Sequence, residues 1–203
     1  MILFEDFDKF LQKVNVTDGI NIFDLDDTLF VTKAKIHVTD IAGDKFDLTP
    51  AEYNFFDKSR AKNIDYTDFN NPSILYAGKA IDWVLNILKQ THAKNKAVGI
   101  ITARSMDAVL LKKFLNSHGV NIVENLIFPV KSKPFISKYS KIPNDIPKLK
   151  AKAIQEIIDM GFTDIKFFDD NKDNLAEIKK LETIYNNINI KTKHIKSKWI
   201  PSL

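Results

Sequence analysis

Short apolar runs recur along the chain, and most are followed by a segment whose apolar residues return at helical spacing. Continuous apolar runs of about four to eight residues are typical of strands that are buried on both faces. The predicted strands cover 20–23, 97–102, 126–128 and 165–168, with a final strand within 188–200. Because strands that alternate with helices imply right-handed crossovers, the pattern predicts an α/β fold: a mostly parallel sheet with helices on both faces.

The predicted helices are placed by apolar residues that recur three and four positions apart. One of them lies between Ser105, whose hydroxyl can accept a backbone N–H at a helix start, and Gly119, which can end it. The others cover 1–16, 78–94, 147–160 and 174–185. Residues 131–147 are rich in Lys, Pro and Ser and are predicted to form a loop.

The segment after the first strand has a different pattern and is interpreted as an insertion. Apolar and polar residues alternate on both sides of the turn at Ala42-Gly43-Asp44, which predicts a β-hairpin over 34–48. Pro50, after a threonine that can cap a helix, predicts a short helix. Residues 60–75 are polar, aromatic and rich in Asn and Asp, so irregular structure is expected there.

Length and composition limit the possible classes of protein. A chain of 203 residues with 44% hydrophobic content suggests one domain, here a core of 1–31 and 77–203 with the insertion at 32–76. The chain has no cysteine, which excludes disulfides, thiolate catalysis and cysteine-bound zinc. No apolar run approaches the ~18 residues of a membrane span, and no signal peptide is recognisable, so a cytoplasmic location without membrane contact is predicted.

The net charge of +4 is compatible with a phosphorylated substrate, but it is too small to indicate nucleic-acid binding by itself. The aromatic residues of the insertion have two interpretations: a small core of its own, or a surface that stacks on a substrate. These residues are Tyr53, Phe55, Phe56, Tyr66 and Phe69. No obligate protein partner is evident from the sequence.

Polar side chains follow three of the predicted strands, at the point where each strand ends. The first strand is followed by Asp24 and Asp26, the second ends in Thr102, and the fourth is followed by Asp169 and Asp170. Because ligands of parallel α/β sheets bind beyond the carboxyl ends of the strands, these groups are expected at one site.

The chemistry of these residue types suggests a role for each. Carboxylates from two neighbouring strands, Asp24 and Asp169, can hold a hard divalent cation such as Mg²⁺. A carboxylate can attack phosphorus in a phosphate that a metal ion has neutralised, which would make Asp24 a nucleophile. Asp26, on the same side of an extended strand, could protonate the leaving oxygen and later activate water. Thr102 and nearby backbone N–H groups can hold phosphate oxygens.

The segments FDLDDTLF, ITAR and FFDDNKDN resemble motifs one, two and four of the haloacid dehalogenase (HAD) superfamily, most of whose members are Mg²⁺-dependent phosphohydrolases. The resemblance implies a Rossmannoid core in which Asp24 is the nucleophile and Asp26 the acid/base. It implies that Asp24, the Asp26 carbonyl and Asp169 bind the metal, with either Asp170 or Asp173 as a further acid. The insertion at 32–76 would be a small cap.

The resemblance also implies that Thr102 and a lysine of motif three bind phosphate, and Ala103 and Arg104 of the ITAR segment are further candidates for this group. Lys148, Lys150 and Lys152 are candidates for that lysine, and the segment that begins at Lys150 is most similar to the family's helix start. For Arg104 the sequence leaves two interpretations open, namely a contact with substrate and a place on the surface.

The hairpin and the segments LTPAEYN and DYTDFNN further resemble HAD-type phosphatases encoded by bacteriophages, which would place the protein in a host cytoplasm. The expected activity is hydrolysis of a phosphomonoester through an aspartyl-phosphate. The aromatic residues of the insertion and the net positive charge of the chain favour a nucleotide or a nucleic-acid terminal phosphate as substrate. Two alternatives stay open: a phosphatase of sugar or other metabolite phosphates, and a HAD-fold binding protein with little catalytic activity.

Overall fold

The computed structural model describes residues 19–53, 55–142 and 145–196. The helix predicted at 1–16 and the end of the predicted last strand, 197–200, lie outside the described residues. The chain divides into two compact units: a larger unit of 1–30 and 80–203, and a smaller unit of 31–79.

The larger unit is built on a five-stranded parallel sheet. Across the sheet the strands follow the order β10 (Asn189–His194), β9 (Asp164–Asp169), β1 (Ile20–Phe23), β7 (Ala97–Thr102) and β8 (Ile127–Pro129). All six residues of β7 are buried, because both faces of this strand are covered. The structure therefore confirms the predicted α/β fold with a parallel sheet.

Helices flank this sheet and connect its strands. They are α3 (Asp82–Ala93), α4 (Ala108–Ser117), α5 (Lys133–Lys138), α6 (Ile146–Asp159) and α7 (Lys172–Lys179). Most residues that the helical spacing assigned to the core are buried, as Val84 and Leu88 of α3 illustrate, but Val109 of α4 was expected to face inward and is 39% exposed. Single 3-10 turns cover Glu124–Leu126 and Lys180–Thr183. No helix among the described residues is both long and apolar enough to cross a membrane.

Three predictions for the larger unit were wrong in detail. Helix α4 is capped by Asp107, whose carboxylate accepts the Leu110 N–H at 2.7 Å, and not by Ser105. The predicted loop at 131–147 contains α5, because Phe135 supplies a buried anchor for a short helix. Helix α7 stops at Lys179 and continues as a 3-10 turn.

The smaller unit contains a three-stranded antiparallel sheet, and the predicted hairpin forms two of its strands. Its elements are β3 (Ile36–Asp40), β4 (Lys45–Leu48), α1 (Pro50–Tyr53), β5 (Ala61–Asp65) and α2 (Pro72–Tyr76), with 3-10 turns at Lys58–Arg60 and Thr67–Asn70. The expectation of irregular structure at 60–75 was wrong, because β5 pairs with β3 along its length. Two short strands, β2 (Phe30–Val31) and β6 (Lys79–Ala80), pair where the chain passes between the units.

The register of the sheet brings the ends of three strands together. Phe23, the last residue of β1, lies opposite Phe168 of β9 and Ile100 of β7. The rings of Phe23 and Phe168 are stacked with centroids 4.5 Å apart. The residues that follow these positions therefore meet at the carboxyl edge of the sheet.

Candidate functional site

The carboxyl edge of the sheet holds the polar residues that the sequence placed at strand ends. Asp24 extends β1 by one further sheet hydrogen bond, from its N–H to the Phe168 carbonyl at 2.9 Å, and its side chain is buried. Asp169 is the last residue of β9 and Thr102 the last of β7, and both are fully buried. The site is therefore fixed by the pairing of the central strands.

Lys150 joins two of these acids. Its ammonium donates to Asp24 Oδ1 and to Asp169 Oδ2, both at 2.7 Å, and the residue is only 2% exposed. It lies in α6, five residues after the helix cap, so the apolar face of that helix carries it into the interior. Lys148 is half exposed instead and pairs at 2.9 Å with Asp145 at the start of the same helix. Of these two candidates for the motif-three lysine, the structure brings Lys150 to the acids.

Asp24, Asp169 and Asp170 form a group that could hold a metal ion, since one carboxylate oxygen from each lies within 4.8 Å of the others. Asp173, which the sequence offered as an alternative to Asp170, is not a member of this group. Its backbone N–H donates to the Asn171 side chain at the start of α7. The expected contribution of Asp26 to a metal is its carbonyl, and the carboxylate of Asp26 is likewise not in the group.

Asp169 is surrounded by donors in addition to Lys150. The Asn174 amide donates to both of its carboxylate oxygens, at 3.0 and 3.1 Å, and the Asn171 N–H donates to Oδ1 at 2.8 Å. Asn174 is buried. Sequence reasoning did not single out Asn174, because an Asn in the first turn of a helix is ordinarily a surface residue.

Asp26 is paired with Arg104. The guanidinium donates from Nε to Oδ2 at 2.8 Å and from Nη2 to Oδ1 at 2.7 Å. Arg104 is completely buried, so the interpretation that placed it on the surface was wrong. Its own N–H donates to the Thr102 hydroxyl oxygen at 3.2 Å, while Ala103 between them is exposed.

The turn that follows β1 sets the position of Asp26. Asp27 has a left-handed backbone with φ of 55°, a conformation that Asp tolerates better than most residues. Its N–H donates to the Phe30 carbonyl at 2.8 Å, and the N–H groups of Leu29 and Phe30 both donate to the Leu25 carbonyl. The chain therefore reverses immediately after Asp26 in a closed, hydrogen-bonded turn.

Burial and the negative charge of neighbouring acids raise the pKa values of several acids of the site. Burial raises the pKa of Asp24 well above its usual value, and Lys150 opposes the shift while the neighbouring acids add to it. Burial and Asp169 raise the pKa of Asp170 to about 7, and burial and Asp26 raise that of Asp27 to about 6. Burial favours neutral Lys150, but Asp169 and Asp24 outweigh it and raise the pKa of the lysine.

The formal charges of the site leave an excess of negative charge. Asp24, Asp26, Asp169 and Asp170 carry four negative charges when ionised, and Lys150 and Arg104 carry two positive charges. Two negative charges are left even without Asp27, and a divalent cation would balance them. The donors of the group are all oxygens, which hard cations such as Mg²⁺ prefer. The residues present therefore fit a site for such an ion.

None of the five aromatic residues that the sequence singled out in the smaller unit is buried. Tyr53 lies between Phe56 and Tyr66, with ring centroids 6.4 and 5.8 Å apart, and the two tyrosine hydroxyls are hydrogen-bonded to each other. Phe55 is 92% exposed. Tyr53, Phe56 and Tyr66 thus form a cluster of rings that stays partly exposed, and both interpretations of the aromatic residues stay open.

Comparison of the chain with models of known protein families and with curated proteins finds no match. The resemblance to the HAD superfamily therefore rests on the sequence motifs alone.

Proposed function

We propose that the protein is a phosphomonoester hydrolase of the HAD type that requires Mg²⁺ and uses Asp24 as its nucleophile. The observation that carries the proposal is the contact of Lys150 with both Asp24 and Asp169. Asp24 and Lys150 are 126 positions apart in the chain, yet their side chains meet at 2.7 Å in a buried site. Three motifs that resemble those of one enzyme superfamily thus supply three charged groups in direct contact.

In the proposed reaction a carboxylate oxygen of Asp24 attacks phosphorus, and the bond from phosphorus to the ester oxygen breaks. The leaving oxygen takes a proton from Asp26, and an aspartyl-phosphate stays on Asp24. The Asp26 carboxylate then removes a proton from a water molecule, which attacks phosphorus and releases inorganic phosphate and free Asp24. Asp26 thus returns to its starting protonation state after each turnover.

Mg²⁺ would be held by Asp24, Asp170 and Asp169 with the Asp26 carbonyl, and it would neutralise the charge of the incoming phosphate. Asp169 accepts hydrogen bonds from Lys150, Asn171 and Asn174, so its main role in the proposal is to hold Lys150 beside Asp24. Lys150 in turn offsets the charge on the nucleophile and on the phosphate. The Thr102 hydroxyl and the N–H of Ala103 are the proposed contacts for phosphate oxygens.

A nucleotide or a nucleic-acid terminal phosphate is the favoured substrate. Phe55 is 92% exposed, and the Lys58 ammonium lies 4.9 Å from the centre of the partly exposed Tyr53 ring. Each ring offers a surface on which a base could stack. The smaller unit is accordingly proposed to act as a cap that selects the substrate. A sugar phosphate is the alternative small substrate.

The proposal is tested by a panel of phosphomonoesters incubated with the full chain and Mg²⁺, with EDTA as the control. The panel contains mononucleotides, oligonucleotides with a 3′- or a 5′-phosphate, and sugar phosphates. Release of phosphate that requires Mg²⁺ is expected, with the nucleotide or oligonucleotide substrates turned over fastest. Turnover of sugar phosphates alone would contradict the substrate preference, and binding of Mg²⁺ without any turnover would favour a binding protein.

A further inference from the structure

We propose that Arg104 is a positioning residue that fixes the Asp26 carboxylate for proton transfer, and that it does not bind the substrate phosphate. This inference rests on the proposed function, because it assigns a task to Arg104 within the same reaction. It replaces the expectation that Arg104 belongs to the phosphate-binding group.

The geometry of the pair is that of two parallel hydrogen bonds. Nε and Nη2 of Arg104 reach the two different carboxylate oxygens of Asp26, at 2.8 and 2.7 Å. The planar guanidinium matches a carboxylate in this arrangement, and the two bonds together restrict rotation of the acid. Asp26 is therefore held in one orientation by a partner 78 positions away in the chain.

The two side chains differ in burial, which indicates which of them lies on the solvent-accessible side. Arg104 is completely buried, whereas the Asp26 side chain is 18% exposed. The guanidinium thus approaches Asp26 from the interior, and the acid lies between it and the solvent-accessible side. A substrate that arrives from solvent meets Asp26 before it meets Arg104.

The backbone at Arg104 is itself held at the edge of the sheet. Its N–H donates to the hydroxyl oxygen of Thr102, which ends β7, and β7 is paired with β1 directly before Asp24. Arg104 and Asp26 therefore follow adjacent strands whose spacing the sheet fixes. A side chain placed in this way can orient a catalytic acid without moving during the reaction.

The hydrogen bonds from Arg104 use one of the two lone pairs of each carboxylate oxygen of Asp26. In the proposal the proton is exchanged at the second lone pair of one of these oxygens while the bonds to Arg104 are kept. In the first step the ester oxygen takes the electron pair of the broken bond to phosphorus and a proton from Asp26. In the second step the proton of the attacking water returns to Asp26, so the charge on Arg104 is unchanged throughout.

If Arg104 positions the general acid, the effect of replacing Arg104 should depend on the leaving group of the substrate. An alkyl phosphate needs a proton on its leaving oxygen, whereas p-nitrophenolate leaves as a stable anion. Loss of a well-placed general acid typically costs about 10²- to 10⁴-fold in rate where the proton is required. A phosphate-binding arginine would affect both substrates to the same extent, because both carry the same phosphate.

The test measures kcat and KM for p-nitrophenyl phosphate and for the best alkyl phosphomonoester of the substrate panel. The proteins are the wild type, Arg104→Lys, Asp26→Asn, and the double variant Arg104→Gln with Asp26→Asn. The double variant replaces the ion pair by two neutral amides, so it does not leave a buried charge unpaired.

We expect Arg104→Lys to lower kcat/KM for the alkyl ester at least ~10-fold more than kcat/KM for p-nitrophenyl phosphate. The ratio kcat/KM reports formation of the aspartyl-phosphate, whereas kcat also includes its hydrolysis, in which Asp26 acts on both substrates alike. Asp26→Asn should show the same selectivity, and the double variant should show no more selectivity than Asp26→Asn. Equal losses of kcat/KM on both substrates would overturn the inference and leave the proposed function intact. A wild-type protein that hydrolyses neither substrate would overturn the proposed function and this inference with it.

Discussion

Single residues at the carboxyl edge of the sheet are held by donors that come from distant parts of the chain. Lys150 of α6 connects Asp24 with Asp169, and Asn174 of α7 supports Asp169 from the other side. Removal of one partner from a buried ion pair typically costs about 3–5 kcal/mol of stability, because the remaining charge is left unpaired. Stability and the proposed activity therefore depend on the same side chains.

Asn174→Ala is predicted to lower both stability and activity. The free energy of unfolding should fall by about 1–3 kcal/mol, because Asp169 loses a buried donor to both of its oxygens. Urea unfolding measures this change. Asn189→Ala is the matched control, since Asn189 donates to Asp164 at 2.8 Å at an exposed site, and a change within about 0.5 kcal/mol is expected there. Equal effects of the two substitutions would contradict the prediction.

Asp170→Asn is predicted to stabilise the metal-free protein and to remove most of its response to Mg²⁺. Burial and Asp169 raise the pKa of Asp170 to about 7, so loss of this charge relieves repulsion. Thermal unfolding with and without Mg²⁺ measures both effects. A concentration of 100 times Kd should stabilise the wild type by ~2.7 kcal/mol.

Asp173→Asn is the control for that experiment, because Asp173 lies outside the group that Asp170 forms with Asp24 and Asp169. It should respond to Mg²⁺ as the wild type does. A response lost in Asp173→Asn and retained in Asp170→Asn would reverse the assignment of the two acids.

The acids of the site could be predicted from the sequence because each follows an apolar run that has to be a buried strand. The partners of these acids could not be predicted in the same way. Arg104 stood next to Thr102 and suggested a substrate contact or a surface position, yet its partner is Asp26. Such pairings depend on how strands are placed beside one another, which residue spacing does not encode.

At the scale of elements, the sheet of the larger unit depends on close packing between β7 and its neighbours. Gly99 lies in the middle of β7, and a side chain there would meet Leu126 O and Ile22 Cδ1, both at 2.9 Å. Gly99→Ala is therefore predicted to lower the free energy of unfolding by about 1–3 kcal/mol, measured by urea unfolding. Unchanged stability would show that β8 can move away from β7 without cost.

The hairpin of the smaller unit carries a pH-dependent contact. His37 of β3 lies 2.7 Å from Asp47 of β4 and 3.2 Å from Asp68, and hydrogen bonds to Asp47 and then Asp68 raise its pKa above 6.5. A histidine whose pKa is raised by folding stabilises the folded state below its unfolded pKa of 6.5. That contribution is lost as the pH rises through the folded pKa.

An NMR titration of His37 should therefore have its midpoint above 6.5, and Asp47→Asn should lower that midpoint. Asp44→Asn removes the same charge from the turn of the hairpin and should leave the midpoint nearly unchanged. A midpoint that does not respond to Asp47→Asn would show that this pair does not form in solution.

Elements with strong apolar periodicity were predicted correctly, and those stabilised by a few contacts were not. Strands β1, β7, β8 and β9 lie where their apolar runs placed them. The short helix α5 and strand β5 escaped prediction because one buried ring or one neighbouring strand stabilises each of them. A polar segment that pairs with a neighbour cannot be recognised from its own composition.

At the scale of the whole molecule, every residue proposed to act on phosphate belongs to the larger unit. Asp24 and Asp26 follow β1 directly, Asp169 ends β9, Lys150 lies in α6 and Thr102 ends β7. One sheet edge therefore assembles the proposed chemistry, and the smaller unit is left for substrate selection. The role of the smaller unit as a cap stays a prediction.

The central claim is that Asp24 is the nucleophile of a Mg²⁺-dependent phosphatase. The most direct measurement compares the hydrolysis of p-nitrophenyl phosphate by the wild type and by Asp24→Asn, with Mg²⁺ and with EDTA. The wild type should turn over the substrate only with Mg²⁺, and Asp24→Asn should lose at least ~1,000-fold in kcat, as enzymes do when their nucleophile is removed. Wild-type activity in Asp24→Asn would contradict the account.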